Sequence, residues 1–183
     1  MSNAPTHIEE AMRVAQEAHK DQIRKSDGSP YVVHPLMCAH MLTRKGFEDN
    51  VVIAALLHDV LEDTEYTAEA IRAQFGNHVL EIVERVTEDK TLPWEERKAK
   101  YVDMVRSSSE EVKAVSIADK IHNLQSLLFA YEEHGPALWQ KFNKGKKEKV
   151  WFEELSLAMF KETWSHPLVD EYEKLVGRMR TLE

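Results

Sequence analysis

The segment LLHDVLEDT, residues 56–64, carries one histidine and three acidic side chains directly after the apolar run VVIAALL. Such a run predicts a helix that is buried on nearly every face. On a continuous helix, His58 and Glu62 lie one turn apart, as do Asp59 and Asp63. A carboxylate beside a buried helix needs a cation, hydrogen-bond donors or a proton. We therefore expect one polar cluster here, and the alternative is a solvated helix end.

Two more side chains extend the cluster to a candidate ligand set: His34 in PYVVHP and Asp119 in SIADKIHNL. Taken singly, a core histidine and a capping or ion-paired aspartate explain them as well. Together with His58 and Asp59 they make a His₂Asp₂ set drawn from three helices. Mixed imidazole and carboxylate ligands suit a divalent ion such as Mn²⁺, Fe²⁺ or Zn²⁺. Such an ion would acidify a bound water and polarise a phosphoryl oxygen, and the neighbouring ED pair would position or deprotonate that water.

The elements that position these residues are predicted to be helices joined by short turns. Proline near helix starts, glycine near helix ends and a helical period of apolar residues mark them. The predicted helices cover residues 5–24, 35–45, 49–63, 67–75, 77–87, 93–105, 107–129, 147–163 and 167–182. Overlapping capping boxes in SSSEE, Ser107 with Glu110 and Ser108 with Glu111, would begin the seventh of these. Since alternation of period two is almost absent, we predict an all-α domain of about eight to ten helices.

Composition limits the classes of function that remain. The 183 residues suit a single domain over 1–183, with a core at about 5–129 and a C-terminal helical extension at about 130–183. The net charge of -8 argues against a nonspecific nucleic-acid binder. No apolar stretch reaches the roughly 20 residues that cross a bilayer, and no signal sequence is evident, so we expect a cytoplasmic protein without a membrane partner. Cys38 is the one cysteine, and we expect a packed, reduced thiol.

The order of His34, His58-Asp59 and Asp119 resembles the H…HD…D signature of the HD-domain metal-dependent phosphohydrolases, whose fold is all-helical. HDVLEDT further resembles the HDxxED motif of the hydrolase domain of RelA/SpoT-homologue alarmone enzymes. The segments RKSDGSPYVVHP, VTEDK, ERK and ADKIHNL agree with this likeness, which covers about residues 11–128. Within that family the chain is most similar to stand-alone small hydrolases, which remove the 3′-diphosphate from ppGpp or pppGpp.

The resemblance implies a role for each matching residue. It implies that Mn²⁺ is bound by two histidines and two aspartates, namely His34, His58, Asp59 and Asp119. Glu62 with Asp63 would activate the water, and metal-bound hydroxide would attack the 3′-linked phosphorus to release pyrophosphate and GDP or GTP.

For the nucleotide, the resemblance implies that Arg24 stacks on the guanine, Lys25 lies nearer the phosphates and Asn123 contacts the sugar or base. A guanidinium plane and a compact ammonium suit these tasks. The alternative for Arg24 and Lys25 is a solvated helix end. The lysine-rich segment at residues 134–155 would either hold terminal phosphates or cover the site, and its alternative is a solvated turn.

Two rival functions stay open from the sequence. One is an HD phosphohydrolase that acts on another nucleotide, such as NADPH, an adenosine alarmone or a deoxynucleotide. The other is a metal-binding nucleotide sensor without turnover, against which the intact Glu62, Asp63 and Asn123 argue. Base preference, the physiological metal and the oligomeric state are not encoded in any pattern that we recognise.

Overall fold

The computed structural model describes residues 6–24, 27–141 and 144–183, and in these residues the chain is all-α. The α-helices are α1 His7–Ala18, α2 Val33–Arg44, α3 Asp49–Leu57, α4 Val60–Asp63, α5 Ala68–Val86, α6 Trp94–Arg106, α7 Glu110–His134, α8 Lys146–Thr163 and α9 Pro167–Arg180, with a 3₁₀-helix at Gly135–Lys141. The prediction of an all-α fold with eight to ten helices is confirmed. The described β pairing is one isolated bridge between Ile23 and Pro30.

The N-terminus of α7 lies later than the capping boxes predicted. Ser109 is the N-cap, and its hydroxyl accepts a hydrogen bond from the Val112 amide. The hydroxyls of Ser107 and Ser108 instead donate to the Met104 carbonyl in the last turn of α6. Both predicted boxes were therefore wrong, because these two serines satisfy carbonyls at the end of one helix rather than amides at the start of the next.

The first two helices also differ from the prediction at their ends. Helix α1 ends at Ala18 rather than near residue 24, and the chain then turns so that the Arg24 amide donates to the Ser29 carbonyl. Arg24 therefore lies in a loop and not on a helix. Helix α2 begins at Val33, which puts His34 in its first turn instead of at its cap.

The continuous helix predicted over residues 49–63 is broken at the His58-Asp59 pair. Helix α3 ends at Leu57 and α4 begins at Val60, with Asp59 at φ -98° and ψ -7°. The ring Nδ1 of His58 lies 2.8 Å from the Ala55 carbonyl oxygen. A continuous helix would offer that carbonyl to the Asp59 amide, so the side chain competes with the backbone for it. The break turns the histidine and the aspartate toward the same point.

Helix α5 carries the interruption that the FGN sequence predicted. Gly76, at φ +89° and ψ 170°, has a non-helical backbone inside Ala68–Val86. Residues other than glycine rarely adopt this conformation, so the sequence places its glycine where the kink requires one. The two predicted helices therefore meet at this break, within the span Ala68–Val86.

Helices α3 and α7 form the centre of the fold. All seven residues of 51–57 are buried, and α3 packs against α1, α2, α5 and α7. Helix α7 packs in turn against α2, α5, α6 and α9, while α8 lies on α6 and α9. Burial of this kind is worth roughly 25 cal/mol per Å² of apolar surface. His58 and Asp59 therefore directly follow the buried helix α3, and Asp119 lies on the central helix α7.

Within the described ranges, no helix combines the length and the apolar character that crossing a membrane would require.

Candidate active site

The four predicted ligand residues converge from α2, the α3–α4 break and α7. The His34 Nε2 lies 3.0 Å from the Asp119 Oδ1, and the His58 Nε2 lies 3.1 Å from the Asp59 Oδ2. The two Nε2 atoms are 3.3 Å apart. Both histidines are buried. The structure thus brings together, at one point, side chains that the sequence separates by up to 85 positions.

This donor set fits a divalent cation. The Nδ1 atoms of both rings are already engaged, that of His58 with the Ala55 carbonyl and that of His34 with the Nδ1 of His122 at 2.7 Å. The two Nε2 atoms are thereby directed at the same carboxylates. Ligands that bind one ion at about 2.0–2.2 Å lie roughly 3 Å from each other, which is the spacing found here. His34, His58 and Asp59 also form one of the groups whose ligand atoms all lie within 4.8 Å.

The charges at this point are strongly coupled. Burial opposes a charge on His58, but Asp59 and Asp119 raise its pKa to about 9. Burial and the neighbouring His58 lower the pKa of His34, although Asp119 acts in the opposite sense. Burial opposes ionisation of both aspartates, yet the histidines keep the pKa of each well below its usual range. The site therefore holds two ionised carboxylates and selects for positive charge.

Three residues that the sequence reasoning did not assign support the ligands. The Tyr31 hydroxyl donates to the Asp59 Oδ2 at 2.6 Å. The His122 ring stacks on the His34 ring with 5.0 Å between their centroids, and its Nδ1 lies 2.7 Å from the His34 Nδ1. The signals were present: Tyr31 lies in the PYVVHP segment, and His122 follows Asp119 by three positions on one helix. The third residue, Cys38, is buried as a free thiol, as expected, and its Sγ lies 3.9 Å from the His34 Nδ1.

Glu62 and Asp63 both border the site, but their environments differ. Burial raises the pKa of Glu62, and the charges of Glu88 and Asp59 add to this, while a hydrogen bond of 3.1 Å from the Glu88 amide opposes it. The side chain of Asp63 forms a close ion pair with Lys90, whose ammonium also donates to the Glu62 carbonyl at 2.9 Å. The Lys90 ammonium also lies 3.5 Å from the Glu62 Oε1, yet burial leaves the pKa of Glu62 raised, so Glu62 has the carboxylate better suited to exchange a proton.

Of the residues expected to bind the nucleotide, two are described and lie together. The Arg24 Nη2 donates to the Asn123 Oδ1 at 3.0 Å, and the Asn123 Nδ2 donates to the Asp119 Oδ1 at 2.5 Å. Arg24 is buried, and its Nε has no hydrogen-bond partner among the described residues. Lys25 lies outside the described residues. Asn123 is therefore fixed between Asp119 and the Arg24 guanidinium at the edge of the site.

A cavity of about 300 Å³ opens beside these residues. One side, which we call the metal wall, consists of His58, Asp59, Glu62, Asp63 and Asp119. The volume lies at the lower end of the range for small-molecule sites.

The other side of the cavity is formed by α6, α8 and part of α7. Its four cationic residues, which we call the lysine wall, are Lys98, Lys120, Lys144 and Lys149. Aromatic side chains lie between them, namely Trp94, Tyr101 and Phe152. Of the lysine-rich segment whose role the sequence left open, Lys144 and Lys149 line the cavity, whereas Lys146 donates to the Leu182 carbonyl. The segment is thus partly turned toward the site.

Comparison with known proteins identifies the family. A family model described as "HD domain" matches residues 11–146. The chain belongs to the HD-domain family. A curated relative, guanosine-3′,5′-bis(diphosphate) 3′-pyrophosphohydrolase MESH1 of Xenopus tropicalis, is 45% identical over 130 residues, which are 69% of this chain and 73% of the relative. The mouse protein of the same name is 43% identical over an equal length.

Solved structures agree with this HD-domain assignment. A metazoan orthologue of SpoT that hydrolyses ppGpp superposes with a TM-score of 0.81 at 26% identity, over 100% of both chains. A protein of Listeria monocytogenes EGD-e superposes with a TM-score of 0.74 at 40% identity, over 83% of this chain and 96% of the other. The first of these extends the similarity over the C-terminal helices as well as the HD domain.

Proposed function

We propose that this HD-domain chain is a metal-dependent guanosine-3′,5′-bis(diphosphate) 3′-pyrophosphohydrolase, which converts ppGpp or pppGpp and water to GDP or GTP and pyrophosphate. The observation that carries the proposal is the convergence of His34, His58, Asp59 and Asp119 at 3.0–3.9 Å beside Glu62 and Asp63. Curated relatives at 43% and 45% identity bear the name of this activity.

The proposal includes a resident divalent ion, and Mn²⁺ is our choice among the candidates. His34 and His58 would hold it through their Nε2 atoms, and Asp59 and Asp119 through carboxylate oxygens. When bound, such an ion supplies Lewis acidity at a phosphoryl oxygen and favours ionisation of water. Imidazole and carboxylate ligands in equal number are compatible with Mn²⁺ and with Fe²⁺ or Zn²⁺.

Glu62 acts as the general base in this proposal. Burial raises the pKa of Glu62 toward neutral pH. A general base exchanges protons most effectively when its pKa lies near the pH at which the enzyme works. A bond forms between the water oxygen and the 3′-linked phosphorus, the bond from that phosphorus to the ribose 3′-oxygen breaks, and a proton returns to the ribose oxygen. Asp63, oriented by Lys90, positions the water.

Arg24, Lys25 and Asn123 bind the nucleotide in this proposal, with Lys25 nearer the phosphates. The hydrogen bond from Arg24 to Asn123 keeps the guanidinium near the site, and a guanidinium plane stacks well on a purine. The proposal also covers a single functional domain over residues 1–183, a cytoplasmic location, and a small-molecule nucleotide as the partner rather than a nucleic acid or a membrane. The single cysteine, buried and free, is compatible with a reducing compartment.

The test is a turnover assay with Mn²⁺ in which ppGpp, its adenosine counterpart and NADPH are compared in parallel. Products are separated by anion-exchange chromatography, and each reaction has an EDTA control. We expect EDTA-sensitive release of GDP and pyrophosphate, fastest from ppGpp. Turnover of a different nucleotide alone would contradict the assignment of ppGpp as the substrate. A metal-loaded protein that is inert on all three nucleotides would favour the sensor alternative.

A further inference from the structure

The lysine wall concentrates positive charge in a part of the cavity that the metal ligands do not use. Lys98 comes from α6, Lys120 from α7 and Lys149 from α8, and Lys144 precedes α8. On this side the four lysines face two lining carboxylates, Glu88 and Glu153. The metal wall of the same cavity holds four carboxylates and one histidine. The cavity is therefore polarised, with an acidic side for a cation and a basic side.

Lys120 is the central residue of the basic side. It is 3% exposed, and its ammonium lies 3.8 Å from the Phe152 ring centroid and 5.1 Å from that of Tyr101. Among the described residues, no carboxylate lies within ion-pair distance of it. Aromatic faces compensate part of the cost of burying an ammonium, but an anion compensates it better. A buried ammonium that lines a cavity and has no ion pair among the described residues is suited to bind an anion.

Lys98 reinforces Lys120 from the neighbouring helix. Its ammonium lies 4.5 Å from the centroid of the same Phe152 ring, so two cations share one aromatic side chain. Lys98 also forms a close ion pair with Glu88, whose amide donates to Glu62. The basic side is thus connected to the proposed general base through a single intervening residue.

The C-terminal helices supply the remaining charges. Lys149 pairs with the buried Glu153 at 2.5 Å, and Glu153 also accepts a hydrogen bond from the Tyr172 hydroxyl. These contacts fix the position of Lys149 at the cavity. Lys144 lies 3.4 Å from Glu95 and over the Trp94 ring at 5.8 Å, and it is partly exposed. Lys144 therefore lies where a ligand would enter.

We propose that the lysine wall is a second phosphate subsite, which binds the 5′-diphosphate of the substrate while the reacting 3′-diphosphate lies at the metal wall. This inference rests on the proposed function and adds a requirement for substrate specificity. The substrate must carry anionic groups on both sides of the nucleoside. Ammonium groups are suited to bind such groups as point charges.

The first arm of the test compares two substrates of the Mn²⁺-loaded enzyme: ppGpp and guanosine 3′-diphosphate, which has a free 5′-hydroxyl. The variant is Lys120→Met, whose apolar side chain remains compatible with the aromatic faces. We expect KM for ppGpp to rise at least tenfold with kcat nearly unchanged, while kcat/KM for guanosine 3′-diphosphate changes less than twofold. Equal losses on both substrates would overturn the subsite, because they would indicate a general effect on the metal or the fold.

The matched control is Lys174→Met, since Lys174 is exposed on α9 and does not line the cavity. A second variant, Lys149→Met/Glu153→Gln, removes the buried pair as a whole so that no unpaired charge is left. Thermal melting and Mn²⁺ binding are measured for all variants. The two cavity variants should give the same substrate-dependent effect, and the control should give none.

The second arm requires no turnover and therefore separates this inference from the proposed function. Inorganic pyrophosphate is titrated calorimetrically into the full-length protein after EDTA treatment and dialysis, so that the metal wall cannot bind it through an ion. We expect binding by the wild type and by Lys174→Met, and at least tenfold weaker binding by Lys120→Met. Absence of binding to the wild type, or equal binding by Lys120→Met, would overturn the subsite even if ppGpp is hydrolysed.

Discussion

The metal wall and the lysine wall line one cavity, but they differ in how their side chains are held. On the metal wall, the proposed ligands have defined partners, such as the Tyr31 hydroxyl on Asp59 and the Asn123 amide on Asp119. On the lysine wall, Lys98 and Lys149 have ion pairs, whereas Lys120 rests on aromatic rings with no ion pair among the described residues. The contacts of the first wall suit an ion of fixed geometry, and Lys120 on the second is left available to an anionic ligand.

This difference predicts separate roles for the two walls, and experiments are able to test whether the roles are separate. Residues of the metal wall should determine metal binding and kcat, because they act on the reacting phosphorus. Residues of the lysine wall should determine KM, because they bind a part of the substrate that does not react.

The largest effect is expected from Asp59→Ala, which removes a ligand that lies between His58 and Tyr31. Mn²⁺ binding should be lost and turnover should fall to background, since the remaining three ligands no longer balance the charge of the ion. Metal content after dialysis and kcat are the measurements. The control is Asp103→Ala at an exposed position of α6. Retention of stoichiometric Mn²⁺ by Asp59→Ala would contradict its role as a ligand.

The next largest effect is expected from Glu62→Gln, which keeps the shape of the side chain and removes its ability to accept a proton. We expect normal Mn²⁺ content with kcat reduced about 10²–10⁴-fold, the usual contribution of a general base. Single-turnover kinetics with ppGpp and metal analysis check this. Glu69→Gln, exposed in the first turn of α5, is the control. Full activity of Glu62→Gln would show that a group other than Glu62 activates the water.

A smaller effect is expected from His122→Phe, which leaves the Nδ1 of His34 without its partner. Outer contacts to metal-binding histidines are typically worth about 10–100-fold in metal affinity. Calorimetric Mn²⁺ titration should show a loss of this size, and His122→Asn, which retains an acceptor, should restore most of the affinity. His40→Phe, exposed on α2, is the control. Unchanged affinity in His122→Phe would make the contact one of packing only.

The smallest effect on turnover is expected from Glu153→Gln, which changes the partner of Lys149 in the cavity lining. Burial alone would raise the pKa of Glu153, but Lys149, Lys120 and the Tyr172 hydroxyl together lower it below its usual value. A depressed pKa stabilises the fold at pH values above the unfolded-state value of about 4.5, and this stabilisation is lost as pH falls through the folded-state pKa.

At pH 7 the variant should therefore lose about 1–3 kcal/mol in the free energy of unfolding, the usual cost of disrupting a buried hydrogen bond to a charged group. Urea denaturation at pH 7 and at pH 3 is the measurement, and the difference between wild type and variant should shrink at the lower pH. A difference that is equal at both pH values would show that the Glu153 charge does not contribute.

The sequence predicted much of the metal wall and little of the lysine wall, for physical reasons. His34, His58, Asp59 and Asp119 belong to residue types with few structural uses in apolar surroundings, so their positions pointed to a site. Lysines are frequent on every surface, and nothing in the sequence distinguishes Lys120, buried against Phe152, from a solvated lysine. The order of the helices could be predicted from the turn-forming residues and from the helical period of the apolar residues.

What the sequence did not reveal depends on competition between local hydrogen bonds and on tertiary packing. The break between α3 and α4 arises because the His58 ring forms a hydrogen bond with the Ala55 carbonyl oxygen. The helical period of the apolar residues gives no sign of this hydrogen bond. Likewise, the contact between His34 and His122 requires α2 and α7 to pack side by side, and their separation in the sequence conceals it.

The central claim is that water attacks the 3′-linked phosphorus at the metal wall, and isotope labelling tests it most directly. The Mn²⁺-loaded enzyme is incubated with ppGpp in H₂¹⁸O, and both products are analysed by mass spectrometry. We predict a single ¹⁸O in pyrophosphate, none in GDP, and no label transfer after EDTA treatment. Label in the nucleotide product, or release of inorganic phosphate in place of pyrophosphate, would contradict the account.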